Sequence, residues 1–275
     1  MHLLVVGGSG FLGREIVRQS RAAGQAMTAT YHSSGALTPG QDWRQVDIRD
    51  REAVTSLARD VRPDVVINAA YLQSDWATTA EGSTHVALAA TAVGARLVHV
   101  SSDAVFSGEA VTYDETCLPD PVSPYGAAKA AAETAVRGIA PDGVIARTSL
   151  ILGDGDSPTE QLVHAIASGS GGVLFTDEIR CPVHVTDLAS ALIELAGSPH
   201  HGVHHVAGAD VISRYGLGVL IARRDRLDDA ALPQGLRAAT AMRGPIDVRL
   251  DSTRTQAILR TRLRGARTFL ANDAG

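Results

Sequence analysis

The apolar residues in the first half of the chain follow two rhythms. Short unbroken runs, "LLVVG" from Leu3, "MTATY" from Met27, "DVVINAA" from Asp64, "RLVHVSS" from Arg96 and "GVIAR" from Gly143, alternate with longer amphipathic or alanine-rich stretches. The longer stretches lie at Phe11 to Ala23, Glu52 to Arg59, near Ala80 to Val93, and from Tyr125 onward. A strand that is apolar throughout is one covered by helices on both faces. Strands and helices in regular alternation predict βαβ units and a parallel sheet. The expected fold is therefore α/β, a Rossmann-like doubly wound parallel sheet built by residues 1–150.

Beyond Leu150 the rhythm loosens. "LGDGDSP" reads as a loop, Glu160 to Ala167 as a helix, "CPVHV" as a short strand, Asp187 to Ala196 as a helix and "GVHHVAG" as another strand. The arginine-rich tail from Leu227 to Gly275 carries a further helix near Ser252 to Leu259. No repeat or low-complexity linker sets this half apart, so residues 151–275 are expected to form a smaller region partly interleaved with the first.

Composition changes this picture only by exclusion. Apolar content of 45% and charged content of 20% describe an ordinary globular chain, and a net charge of -5 gives no reason to expect nucleic acid as a partner. No apolar run approaches the roughly 20 residues that span a bilayer, and the opening "LLVVGGSGFLG" reads as a strand and turn of the fold rather than a leader. Cys117 and Cys181 stand far apart without metal-ligand spacing, as free thiols of a reducing compartment do. A cytoplasmic protein with no membrane partner is expected.

The first chemistry follows the first strand. In "VVGGSGFLGREI" Gly7, Gly10 and Gly13 are spaced three apart, and Gly8, Gly10 and Gly13 satisfy G-x-G-x-x-G. Such glycines allow a tight turn and a close approach of backbone to a pyrophosphate, which rests on the N–H groups at the start of the following helix. Gly7, Gly10, Phe11, Leu12 and Gly13 are accordingly the candidate phosphate contacts of a bound dinucleotide. An NAD site places Asp or Glu at the end of the second strand, against the ribose 2'-hydroxyl. Here "TATYHSSG" offers Tyr31, His32, Ser33 and Ser34, with neither an acid nor an arginine. The missing carboxylate favours NADP(H), with NAD(H) left open. Asp47 and Ile48 in "VDIRD" and Ala69, Ala70 and Tyr71 after "VIN" flank the adenine and nicotinamide sides, or are plain strand ends.

The second chemistry is a lone lysine. Lys129 is the only lysine in a chain whose other basic residues are arginine and histidine, and it stands four residues after Tyr125. At i and i+4 of the alanine-rich helix the two share one face. Lysine differs from arginine in being a compact ammonium that can sit beside a reacting group. An ammonium near a phenol, whose ordinary pKa is about 10, is expected to lower it and make Tyr125 a usable acid or base near neutrality.

The order "GGSGFLG", "NAA", "SSDAVFSG", "YGAAK" resembles the extended short-chain dehydrogenase/reductase superfamily. The longer segments "PDVVINAAY", "GARLVHVSSDAVFSG", "YDETCLPDPVSPYGAAKAAAE", "ARTSLILG" and "GVHHVAG" are similar to its NDP-sugar 4-ketoreductases, the dTDP-4-dehydrorhamnose reductase branch, over residues 3 to about 215. That resemblance implies hydride transfer from a nicotinamide to a ketone, with Tyr125 as proton donor and Lys129 on the nicotinamide ribose. It also implies a hydroxyl three residues before the Val of "VF", which selects Ser102 over Ser101. The implied partner is a nucleotide sugar, held by residues 151–275, and a homodimer is left open.

The chain departs from the family pattern where the sugar lies. Ala104 stands where an aromatic follows the Ser-Asp pair, Leu150 replaces the Trp of "RTSW", and Thr79 takes the place of an Asn. Asp103, Ala104 and Leu150 are thus candidate substrate contacts whose changes loosen the link to deoxyrhamnose chemistry. Trp76 is either a replacement stacking surface or a packing residue. Arg180 in "EIRCPVHVTD" is either a phosphate or sugar contact or an ordinary surface arginine, and Arg249 is a candidate for a diphosphate. His200, His201, His204 and His205 lack a carboxylate or cysteine at a recognised spacing, so no metal site is expected. Two other classes stay open: a reductase or epimerase of another carbonyl compound, and a non-catalytic NADP-binding regulatory subunit.

Overall fold

The computed structural model describes residues 1–33 and 39–271. Seven strands form the central sheet: β1 (Leu3–Val6), β2 (Met27–Tyr31), β3 (Asp42–Gln45), β4 (Val65–Asn68), β5 (Arg96–Ser102), β6 (Val144–Thr148) and β7 (Gly202–His205). They are parallel and lie in the order β3-β2-β1-β4-β5-β6-β7. The chain winds outward in one direction from β1 and in the other from β4. Between those two strands the connections diverge, which is where open α/β sheets bind ligands, beyond the carboxyl ends of the strands.

The unbroken apolar runs are explained by the two covered faces. Leu3, Val5, Ile67, Val98 and Val144 point to the side where α1 (Phe11–Ala22) brings Leu12, Ile16 and Val17 and α6 (Val185–Ala196) brings Leu188, Leu192 and Leu195. Leu4, Val6, Val66, Leu97 and Ile145 point the other way, against Val54 and Ala58 of α2 (Arg51–Val61), Val86 and Ala90 of α3 (Gly82–Ala92) and Val136 of α4 (Pro124–Ile139). Full burial of such a side chain is worth about 1.5–3 kcal/mol relative to exposure, so each strand is held from both sides. β3 departs from the rule: "DWRQ" is largely exposed at the sheet edge, carries no apolar run and was not anticipated.

The chain leaves the sheet after β6 and builds a second, smaller cluster. Ile151–Leu152 pairs with Val183–His184, Leu174–Phe175 with Gln234–Gly235, and Ile179–Arg180 with Ile212–Ser213. Leu152, Val163, Ile166, Leu217, Ile221 and Leu270 pack together here, supplied in part by α5 (Pro158–Ala167) and α7 (Arg214–Arg224). Between those two helices the chain returns to the sheet, and α6 and β7 complete its edge. Gln19 of α1 meets α6 through a bond from its amide to the Thr186 carbonyl (2.9 Å) and one from the Ser190 hydroxyl (2.8 Å).

The histidine run closes the edge strand. His205 donates its backbone N–H to the Thr255 hydroxyl (3.2 Å), its Nδ1 lies 3.2 Å from the Asp251 carbonyl, and His204 Nδ1 lies 3.4 Å from the same hydroxyl. These contacts dock α8 (Thr253–Ile258) against β7. Among the described residues no three His, Cys, Asp or Glu side chains gather as they would around a metal ion, and no helix is long and apolar enough to cross a membrane.

Candidate active site

The glycine turn joins β1 to α1 at the carboxyl edge of the sheet. Gly7 has φ +80°, and a Cβ there would meet the Ala70 nitrogen at 2.7 Å, so the turn presses directly on the strand end "NAA". A Cβ on Gly13 would meet the Gly7 carbonyl at 2.1 Å, which lets α1 pack against the turn. Gly10 is different: a Cβ there would meet only the Gly7 carbonyl of the same turn, at 3.3 Å, so nothing beyond the turn crowds the start of the helix. It caps α1 without any side-chain hydrogen bond, so the first N–H groups of that helix lack a protein partner. Leu12 itself lies in the core and can meet a ligand only through its backbone, while Phe11 packs against Gly153.

Along the same edge, half-buried Tyr31 ends β2 and His32 and Ser33 are exposed; Ser34 lies outside the described residues. His32 Nε2 is 3.5 Å from Asp47, and Arg49 donates from Nε and Nη2 to the two oxygens of that carboxylate at 3.0 and 2.6 Å. The guanidinium bond, which outweighs partial burial, holds Asp47 down to about 2. Sequence reasoning saw no arginine beside the second strand. The fold supplies Arg49 from the turn between β3 and α2, a proximity visible only once β3 is known to pair with β2. Ile48 is buried, Ala69 and Ala70 are half-buried, and Tyr71 is exposed.

Ser102, Tyr125 and Lys129 meet at the ends of β5 and the start of α4. Ser123 caps α4 by accepting the Gly126 N–H (3.1 Å), and Pro124 fits its first turn, where no amide donor is needed. This start sets Tyr125 and Lys129 on one face. Ser102 is oriented by two neighbours: it donates to Asp103 Oδ1 (3.3 Å) and accepts the Ala104 N–H (3.2 Å). Its hydroxyl lies near enough to the Tyr125 phenol to draw the pKa of that group down. Tyr71 leans over the pair, its ring 5.9 Å from that of Tyr125 and 5.1 Å from the Lys129 ammonium. Lys129 is buried and donates to the Val100 carbonyl at 3.0 Å.

The electrostatics correct one expectation. Lys129 was expected to lower the Tyr125 pKa; burial instead pushes the phenol well above its ordinary range, helped by Tyr71 and Asp103 and only partly opposed by the Ser102 hydroxyl. Burial likewise pulls Lys129 down to about 8, against the pull of Glu133. The ammonium is turned to the Val100 carbonyl, and desolvation dominates both groups. The result is a firmly protonated phenol above a lysine poised to titrate.

On the substrate side Asp103 is buried, accepts the Ser149 hydroxyl (2.7 Å) and lies 3.6 Å from Arg180. Arg180 does not reach outward. Its guanidinium donates to the carbonyls of Ile179, Ile246 and Pro245 and stands 3.6 Å from Glu178, so its effect on the site passes through Asp103. Leu150 packs into the smaller cluster. Trp76 is half exposed at the start of the helical segment that leads into α3, and Arg249, paired with Asp247, lines a groove with Thr176, Ile179, Ser213 and Arg267. A residue that sequence reasoning passed over is Gly126: a Cβ there would stand 2.0 Å from the Ala104 carbonyl, so only glycine lets α4 touch the turn behind Ser102.

Comparison with known proteins bears on the family and the fold. A family model described as the RmlD substrate binding domain matches residues 1–272. A probable low-salt glycan biosynthesis reductase of Haloferax volcanii is 34% identical over 230 residues, 78% of this chain and 76% of that one. A dTDP-4-dehydrorhamnose reductase of Mycobacterium tuberculosis is 35% identical over 232 residues, 78% of this chain and 72% of its own. Among solved structures, a hypothetical dTDP-4-dehydrorhamnose reductase from Sulfolobus tokodaii superposes with a TM-score of 0.83 at 28% identity, covering 96% of this chain and 97% of that one. The Bacillus anthracis dTDP-4-dehydrorhamnose reductase, solved in complex with NADP, has the same TM-score at 21% identity over 98% and 96% of the two chains, a likeness of fold.

Proposed function

The chain belongs to the RmlD substrate binding domain family, and on that premise we propose that it is an NAD(P)H-dependent reductase of a nucleotide-activated sugar. Its reaction is hydride transfer to the keto group of a dTDP-4-keto-6-deoxy sugar, with NADP(H) preferred and NAD(H) accepted. The observation that carries this reading is the cluster of Ser102, Tyr125 and Lys129 beside an uncapped helix start and an open glycine. A dinucleotide fits that cradle. Gly7, Gly10 and Gly13 with the backbone of Phe11 and Leu12 would hold the pyrophosphate. Asp47 and Ile48 would flank the adenine, His32 and Arg49 a ribose 2'-phosphate, and Ala69, Ala70 and Tyr71 the nicotinamide side.

When bound, the reduced nicotinamide supplies the hydride. The chain's own groups manage the proton. Tyr125 gives its phenolic proton to the carbonyl oxygen as negative charge develops there, and the burial that raises its pKa keeps it protonated until then. Ser102, placed by the Ala104 N–H, would turn its hydroxyl proton from Asp103 to hydrogen-bond the same oxygen. Lys129 would hold the nicotinamide ribose. Asp103 orients Ser102, and half-exposed Trp76 offers a stacking surface for the sugar.

The test is oxidation of NADPH and NADH in parallel with a dTDP-4-keto-6-deoxy sugar and simple ketones. Turnover is expected with the nucleotide sugar and NADPH, falling at least about 100-fold in Tyr125→Phe. Undiminished turnover in that variant would remove Tyr125 from the proton-donor role.

A further inference from the structure

Behind the Tyr125–Lys129 face lies a group of buried charges with no place in the reaction as described. Glu133 is the next residue on that face, one turn beyond Lys129, and is fully buried. Its carboxylate accepts the Ser101 hydroxyl at 2.6 Å, Arg147 Nε at 3.0 Å and Arg147 Nη2 at 2.8 Å. Arg147, also fully buried, is the largest such side chain among the described residues; it donates further to the Cys117 carbonyl (3.0 Å) and stacks on Phe106 at 4.9 Å. A buried ion pair is costly to desolvate and is weak evidence of stabilisation in itself. Its position gives it another meaning.

Consecutive residues of β5 grip successive turns of α4. The Val100 carbonyl accepts from the Lys129 ammonium, the Ser101 hydroxyl donates to Glu133, and the Ser102 hydroxyl lies beside the Tyr125 phenol. The strand and helix carrying the three proposed reacting groups are therefore held in register by a bond that none of those groups makes. We propose that Glu133, clamped by Arg147 and Ser101, is a positioning residue: it supplies the counter-charge that keeps buried Lys129 an ammonium and locks α4 to β5. Among the ionisable groups that face Lys129, Tyr71 and Tyr125 are phenols. His99 on β5 is held neutral by burial, its pKa driven well below the ordinary value, and the charge of Lys129 adds to that shift. Glu133 is left as the acid that offsets the desolvation of Lys129.

This inference takes its catalytic meaning from the reductase reading, yet it can be measured without substrate. Lys129 is the only lysine in the chain, so protein grown with 13C-labelled lysine gives one side-chain titration by NMR. In Glu133→Gln the Lys129 midpoint is expected to fall by about one pH unit, the size of effect a single close charge exerts. If that variant does not fold with Arg147 unpaired, the neutral pair Glu133→Gln/Arg147→Met replaces it, since buried ion pairs tolerate exchange for apolar groups of similar volume. Its midpoint is also expected to fall, because the Glu133 carboxylate is the charge that raises Lys129. An unmoved midpoint in either folded variant overturns the proposal. A midpoint that falls while the alkaline limb of NADPH turnover stays in place supports the counter-charge and removes the Lys129 ammonium from control of turnover, whereas a midpoint that falls in a protein that turns over no NADPH counts against the reductase reading alone, so the two failures are distinct.

Discussion

An arginine at position 129 would have to place a planar fork of donors where the lysine finds a single carbonyl, that of Val100, in a fully enclosed space. Its charge would also be permanent, whereas Lys129 sits near the edge of titration at about 8. Lys129→Arg is therefore expected to lower kcat/KM for NADPH oxidation by about 100-fold or more while circular dichroism shows a folded chain; near-normal turnover would mean that charge alone is required. This residue and its tyrosine were legible in the sequence because four-residue spacing on a helix is a local rule. So was the glycine turn, which needs only a strand before it and a helix after it. Glu133 and Arg147 were not. Glu133 reads as one more surface acid of an alanine-rich helix, and Arg147 as the end of "GVIAR"; only the packing of α4 on β5 and β6 reveals them as a pair.

Between elements, the contact that decides the site is the one made through Gly126. Alanine is the better helix former by about 1 kcal/mol, so local propensity favours Gly126→Ala. The fold opposes it, because the new methyl would stand 2.0 Å from the Ala104 carbonyl and force α4 away from the turn that follows Ser102. The expected outcome is a loss of about 1–3 kcal/mol in urea unfolding and a fall of at least about tenfold in kcat, since small misplacements at a reacting centre are costly. Unchanged kcat would show that the turn and helix tolerate separation. The same contrast explains which elements the sequence disclosed. Runs buried on both faces announced β1, β2, β4, β5 and β6, whereas β3 is an exposed edge strand without an apolar pattern. The two-residue strands of the smaller region are too short for any periodicity, so their pairings come from tertiary packing alone.

Over the whole molecule, buried histidines set the response to acid. His99, His204 and His205 are each held below the ordinary value of 6.5, first by burial; in His205, at about 4, the Arg147 charge adds to it. Their unfolded forms take up protons before the folded ones do, so stability is fully present above about pH 6.5 and is lost as pH falls from there towards 4. The melting temperature is expected to drop between pH 7 and pH 5, ahead of most carboxylate titration, and His205→Gln should flatten that slope. An equal slope in the variant would place the proton uptake elsewhere. The return of α6 and β7 to the sheet has a consequence for synthesis. Made from its N-terminus, the chain presents Ile16 and Val17 of α1 long before Leu188, Leu192 and Leu195 exist to cover them. The outer side of β6 likewise waits for β7, with the whole 151–184 excursion made in between. The central layer therefore closes late on the ribosome, through contacts distant in sequence, and the nascent protein carries an open sheet edge and a bare helix face for most of its elongation.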